Sequence, residues 1–310
     1  NPDYFLGVPK TETVRWQYIP RADLMQNLIT GVIDIANPDS NKENIELIEQ
    51  NNLEYDLVDN DGYGYMGMNT ENVPLNVRRG IFSLMNRGPS VEGYFGEEFA
   101  SIIERSMTTV LAEYPQGATQ YYEYSKDKAL EFFTQAGYKQ ENGSLVDENG
   151  KKLVVNAYIG GSGEGDHPAY AMLTQASSDL ASLGGELQIQ DVDFANLQAA
   201  MNDGTADIFI LAWSAINNCD KTAQFHKDGG QNRYRFSDPK MDKMLEDIMV
   251  TIDIDERKEL VSQMLDFAID NAIELPLYQR KNMFAYNPGN LNMDTIPEAT
   301  SFYKYKDELW

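Results

Sequence analysis

The segment 206–213 (Ala-Asp-Ile-Phe-Ile-Leu-Ala-Trp) constrains the fold more than any other. From Ile208 to Trp213 it is apolar without alternation. Such a run reads as a strand covered on both faces, and strands of that kind belong to parallel sheets with helices packed on either side. What precedes it agrees. Residues 152–159 read as a strand, 168–183 as a helix ended by Gly184-Gly185, 186–192 as a second strand and 193–203 as a second helix. Strand–helix–strand–helix–strand in that order predicts an α/β unit with right-handed crossovers.

The flanks extend the α/β pattern. Residues 11–20 alternate Val14, Trp16 and Tyr18 and predict a strand; 21–30 predict a helix ended by Gly31, and 32–36 a short strand. A helix is expected over 42–50, and strands over 53–58 and 63–69 around a turn at Asp59-Asn60-Asp61-Gly62. Residues 75–87 place Val77, Ile81, Leu84 and Met85 on one helical face. The pattern weakens over 88–125. It returns in an amphipathic helix at 125–136 with Ser125 as N-cap and Gly137 past its end. A small hairpin at 142–150 leads into the strand at 152, and two long helices (238–250, 254–271) precede a last strand at 276–286. A chain of 310 residues holds about two domains. With no repeat, low-complexity tract or long linker, those domains are expected to share a compact hinge.

Charge and cysteine usage narrow the function. Lys plus Arg is 25 against 49 for Asp plus Glu, a formal net charge of −24. That balance speaks against nucleic acid, whose phosphates need a basic face, and against an anionic lipid surface. The single cysteine, Cys219, excludes an internal disulfide and a cysteine-rich metal site. The two histidines, His167 and His226, lie in no metal motif, so neither a metal nor a cofactor is expected. No apolar run reaches the roughly 18 residues of a membrane span. The opening Asn1-Pro2-Asp3 is unlike a natural start, so the chain is expected to be processed or to be a piece of a longer one.

No catalytic motif survives inspection. The loop Gly160-Gly161-Ser162-Gly163-Glu164-Gly165 joins a strand to a helix, where phosphates are often held. It lacks the Gly-Lys-Ser/Thr of a phosphate loop, the G-x-G-x-x-G spacing and the G-x-S-x-G nucleophile elbow, and its carboxylates repel phosphate. A flexible loop is the expectation. Asp59–Gly62 resembles part of a calcium loop, but the register puts Leu57 and Met68 where carboxylates belong. No Ser or Cys sits beside a His in a nucleophile motif, so an enzyme is not expected. The segment 213–236 stands apart: an apolar strand ends at Trp213 and opens into Asn217-Asn218-Cys219-Asp220. Beyond the carboxyl end of a parallel strand such residues suit a ligand, with Trp as a flat wall and Asn and Asp as polar grips. Trp213 as core filler at a capped strand end is the competing reading.

Several pieces, taken in order, resemble one family, the extracellular solute-binding proteins of ABC importers of the peptide/nickel type. Asn1-Pro2-Asp3-Tyr4-Phe5 with Gly7-Val8-Pro9-Lys10 looks like its N-P-x-Y-[WF]-x-G-x-P-K, and Gly31-Val32-Ile33-Asp34 its G-E-[IL]-D. Tyr63 to Asn69, Pro74-Leu75, Val77-Arg78-Arg79 and Asn86-Arg87 follow its pattern, the last with Asn for the family's Asp. Ala136-Gly137-Tyr138, then Asn232 to Pro239 with Met241-Asp242, then Pro276-Leu277-Tyr278 complete the match.

The resemblance implies a class II periplasmic-binding-protein-like α/β fold: two lobes joined by a hinge, with the family's inserted domain absent and only the carboxyl-side portion present. The lobes are expected at 1–92 plus 283–310 and at 93–282. The implied function is that of the substrate-binding component of an importer. It would capture a small solute, foremost an oligopeptide, by hinge closure and deliver it to an ABC permease in the membrane. The expected protein is a monomer, on the extracellular face of the cell membrane or in a periplasm, secreted or lipid-anchored. Peptide-binding members carry W-x-x-D, whose Asp pairs with the peptide's amino group. Here the third residue after Trp213 is Ile216, and a one-residue shift puts the neutral Asn217 in the Asp position. An amide forfeits the charge-assisted part of that bond, so a blocked or cyclic peptide, or a sugar, stays open, with Asp220 as a substitute anion. The implied ligand contacts are Trp213, Asn217, Asn218 and Asp220, with Tyr65 and Asn69 from the other lobe. The alternatives are a secreted α/β hydrolase using carboxylates and an extracellular ligand-sensing domain.

Overall fold

The computed structural model describes residues 11–291 apart from Ala215 and Asn217. The chain forms two compact units, Asn1–Asn60 with Arg280–Trp310, and Asp61–Gln279.

In the first unit, residues 11–20 form no strand, and Val14, Trp16 and Tyr18 are exposed. Alternation makes a strand only where a sheet edge takes up the backbone groups, and this segment has joined none. Helix α1 (Leu24–Ile29) ends at Gly31, whose φ of 71° suits a residue without a Cβ. The strand expected at 32–36 shrinks to β1 (Ile35–Ala36). Helix α2 (Lys42–Gln50) begins where Asn41 accepts a hydrogen bond from the Asn44 amide, and β2 (Glu54–Asp59) follows. Both strands pair antiparallel with the end of the chain's last strand, Ile35 opposite Tyr286 and Asp59 opposite Lys281.

The second unit runs β3 (Tyr63–Met68), α3 (Leu75–Ser83), α4 (Arg87–Phe95), β4 (Ala100–Ser101), α5 (Lys126–Gln135), β5 (Lys139–Glu141), β6 (Ser144–Val146), β7 (Val154–Ile159), α6 (Tyr170–Ser182), β8 (Glu186–Asp191), α7 (Phe194–Asp203), β9 (Ile208–Trp213), α8 (Thr222–Phe225), α9 (Pro239–Val250), α10 (Ile254–Asp270) and the start of β10 (Glu274–Tyr286). The sheet order is β10-β3-β9-β7-β8. β7 runs parallel to β8 and to β9, as the apolar run predicts, while β3 lies antiparallel to both β9 and β10. The sheet is therefore mixed. Its two faces carry separate cores. Leu173, Ala176 and Leu180 of α6 pack with Ile208 and Ile210 of β9 on one face. Leu197, Ala200 and Met201 of α7 pack with Phe209, and with α9 and α10, on the other.

Three local expectations change. Asp59–Gly62 is not a hairpin turn, because β2 and β3 pair with different stretches of β10 and not with each other. Gly62 is small because a Cβ there would run into the Trp213 carbonyl. The helix expected over 75–87 breaks after Ser83, whose carbonyl accepts instead from the Ser125 amide, and restarts at Arg87. The loop after β7 is pinned rather than loose: the Gly165 amide donates to Asp191 Oδ2 at 2.9 Å, and a Cβ on Gly161 would lie 2.6 Å from Asp191 Oδ1.

Arginines tie the second unit together. Arg78 is buried and donates to the carbonyls of Val73, Asn271 and Ala272, so its charge faces the carboxyl end of α10. Arg87 is 4% exposed, grips both Glu104 oxygens at 2.9 and 2.8 Å, and donates to the carbonyls of Ile103 and Pro276.

Candidate functional site

The connection β7–α6–β8 moves outward along the sheet, and β8–α7–β9 returns past β7 to its other side. α6 and α7 therefore lie on opposite faces. In a sheet wound this way ligands bind outside the carboxyl ends of the two strands where the winding reverses. Those strands are β7 and β9. One ends in the glycine loop and the other in Trp213.

Trp213 is half-buried, and its indole stacks on the ring of Tyr65 at 5.4 Å and 5°. Tyr65 is fully buried beneath it, edge-on to Phe209. The indole Nε1–H donates to Glu274 Oε2 at 3.3 Å. Glu274 is wholly buried at the start of β10. It also accepts from the Tyr63 hydroxyl at 2.8 Å and from the Tyr234 hydroxyl. The Tyr63 hydroxyl lies 2.9 Å from the Ser106 carbonyl as well and accepts from Lys221 Nζ at 3.1 Å. Lys221 is 1% exposed, its ammonium 5.1 Å from the centre of the Tyr63 ring. Burial pushes the Lys221 amine down to about 8, against the opposing pull of Glu274. Burial first, and Glu274 next, hold the hydroxyls of Tyr63, Tyr65 and Tyr234 well above their ordinary value. A carboxylate, an ammonium and three phenols thus form one buried polar knot under the indole.

The loop after Trp213 is held at its first turn by the Ile216 amide, which donates to the Asp61 carbonyl at 3.0 Å. Asn217 lies outside the described residues. Asn218 is exposed, and its Oδ1 accepts from the Asp220 amide at 3.1 Å. Asp220 Oδ1 accepts from the Thr222 amide at 2.8 Å, in the turn just before the short α8. Cys219 is buried, which raises its thiol. Asn69 is buried past the end of β3. Its Oδ1 accepts from the Glu71 and Asn72 amides and its Nδ2 donates to the Gly204 carbonyl, so both side-chain groups serve neighbouring backbone. The structure thus brings Trp213 and Tyr65 into contact, with Asn218 and Asp220 on the loop that follows, and sets Asn69 at the opposite end of β3. At the other strand end, His167 accepts from the Ala169 amide, and burial lowers its imidazole while Asp191 and Asp166 oppose that. Among the described residues there is no cluster of three or more His, Cys, Asp or Glu able to hold a metal, and no helix long and apolar enough to cross a membrane.

Sequence reasoning missed Tyr63, Lys221, Tyr234 and Glu274. They sit on four separate stretches and share no spacing. One available signal was Glu274, a lone carboxylate at the head of the apolar run Leu275-Pro276-Leu277.

The sequence pattern of the bacterial extracellular solute-binding proteins, family 5 Middle, matches residues 1–233. The chain belongs to this family. Its mixed α/β architecture is that of the periplasmic-binding-protein-like members. It is 26% identical over 319 aligned residues to the oligopeptide-binding protein AppA of Bacillus subtilis, covering 98% of this chain and 55% of that one. It is 23% identical to a probable di/tripeptide-binding protein 5 of Pseudomonas aeruginosa, over 89% of this chain and 52% of that one. The chain therefore spans about half the length of these two relatives. The structure of AppA from Bacillus subtilis in complex with a nonapeptide superposes with a TM-score of 0.71 at 23% identity, covering 100% of this chain and 62% of that one. At that identity the superposition speaks for the fold alone. By name, both curated relatives are peptide-binding proteins.

Proposed function

We propose that this chain supplies the solute-gripping face of the substrate-binding component of an ABC importer. The solute is an oligopeptide, and the parent protein hands it to a membrane permease from the extracellular face or the periplasm. The observation that carries this reading is the stacked Trp213–Tyr65 pair at the carboxyl end of β9, beside the strand where the winding reverses. Trp213 is only half-buried, and the part of its indole that Tyr65 does not cover would meet a flat or aliphatic group of the solute. The loop 214–220 provides the polar grips Asn217, Asn218 and Asp220, while Tyr65 and Asn69 brace β3. Ligand contact favours the closed state by its differential free energy. The names of two relatives, oligopeptide-binding and di/tripeptide-binding, support a peptide over other solutes. Isothermal calorimetry of the chain with mixed tri- to nonapeptides is expected to show binding that Trp213→Ala weakens at least about tenfold, the equivalent of ~1.4 kcal/mol. Heat from a sugar panel and none from peptides would overturn the peptide assignment.

A further inference from the structure

We propose that Glu274 is the positioning residue of this site: it fixes the in-plane rotation of the Trp213 indole and keeps the indole N–H away from the solute. The inference deepens the proposed solute-binding reading and rests on it. Glu274 is wholly buried, and three donors converge on its carboxyl group: the hydroxyls of Tyr63 and Tyr234 and the indole Nε1–H of Trp213. A group that accepts from three donors is acting as an acceptor-only carboxylate. A buried carboxylate needs a counter-charge, and Lys221 supplies one through the Tyr63 hydroxyl.

The consequence falls on Trp213. Two constraints act on its ring at right angles. Tyr65 fixes the plane by stacking at 5°, and Glu274 fixes rotation within that plane by holding the one polar edge. Because the N–H is spent inward, the indole offers the solute a face and carbon edges and no donor. The site therefore selects, at this subsite, for an apolar or planar group, such as an aliphatic or aromatic side chain or the flat of a peptide bond. It gains nothing from a carbonyl or hydroxyl aimed at the indole edge. Glu274→Gln would keep the shape but turn an amide NH2 toward donors, so one of the three bonds must break.

The test reads the indole proton directly. In protein labelled with 15N-tryptophan, with Trp213→Phe assigning the resonance, the Trp213 Nε1–H is expected to exchange with solvent at least about tenfold more slowly than free indole. In Glu274→Gln that protection falls and binding of a mixed pentapeptide library weakens by about tenfold, the usual scale for losing a bond to a charged group. In the Trp213→Phe background Glu274→Gln then costs no further library affinity. Exchange at the free-indole rate in the unsubstituted protein overturns the proposal, whether or not Glu274→Gln folds. An equal affinity loss from Glu274→Gln with and without the indole also overturns it, since Glu274 would then be serving only the core. A protein that binds no peptide overturns the peptide reading, while the exchange rate still judges what Glu274 does to the indole.

Discussion

The indole of Trp213 lies parallel to the ring of Tyr65, 5.4 Å between centres. Stacked aromatic pairs contribute about 0.5–1.5 kcal/mol beyond area burial. Tyr65→Leu is therefore expected to lower unfolding free energy by roughly 2–3 kcal/mol, combining lost stacking with a poorly filled core. Urea unfolding followed by circular dichroism checks this, and a change under about 0.5 kcal/mol would show that the pair bears no load.

The buried knot makes an alkaline signature. The Lys221 amine titrates near 8 in the folded protein against an ordinary 10.5. Between those values the unfolded chain holds a proton that the folded one has released, so stability rises with pH. Tyr63, Tyr65 and Tyr234 are raised above 10, so beyond pH 10 the unfolded chain releases protons that the folded one keeps and stability falls. The urea midpoint is expected to climb from pH 8 to 10 by the equivalent of about 2 kcal/mol and drop by pH 11. Lys221→Met should remove the climb and leave the drop. A steady decline from pH 7 upward would contradict the buried ammonium.

Arg87→Ala should be among the most damaging single changes in the second unit. It leaves the Glu104 carboxylate and two carbonyls without their donor. Removing one partner of a buried pair costs about 3–5 kcal/mol. Glu104 retains some exposure, which puts the expected loss near 3 kcal/mol, readable as a shifted denaturant midpoint with unchanged slope.

Gly62→Ala forces a methyl into the Trp213 carbonyl. Overpacking of this kind costs about 1–3 kcal/mol. Because the obstacle is the backbone of Trp213 itself, tryptophan fluorescence should shift along with the stability. Stability lost without a spectral change would mean that the strain is absorbed elsewhere.

Much of the fold was legible because local signals and packing agree. The helix predicted over 42–50 is α2 residue for residue, and Ser125 caps α5 by accepting from Lys128. The parallel trio β7, β8 and β9 followed from one apolar run. Asn86-Arg87 stood out only as a family pattern, and the structure gives its physical reason in the Arg87 clamp. Other signals misled. Alternation at 11–20 suggested a strand that no sheet edge receives, and Asp59–Gly62 has turn chemistry used for close approach instead. In the site, Trp213 was readable because it ends an apolar strand. Lys221, Tyr63 and Tyr234 were not, since burial alone brings them together and burial leaves no spacing; only Glu274, a lone carboxylate heading an apolar run, left a trace.

The pairing of β2 with the far end of β10 joins positions as distant as Glu54 and Tyr286, 232 residues apart. During synthesis, then, β1 and β2 emerge long before their strand partner exists. Everything between Asp61 and Gln279 can collapse on its own while they wait with an unfilled edge. A ribosome stalled before position 281 would release a finished second unit carrying an incomplete first one. Exposed edges of that kind are what a chaperone or a protease meets first.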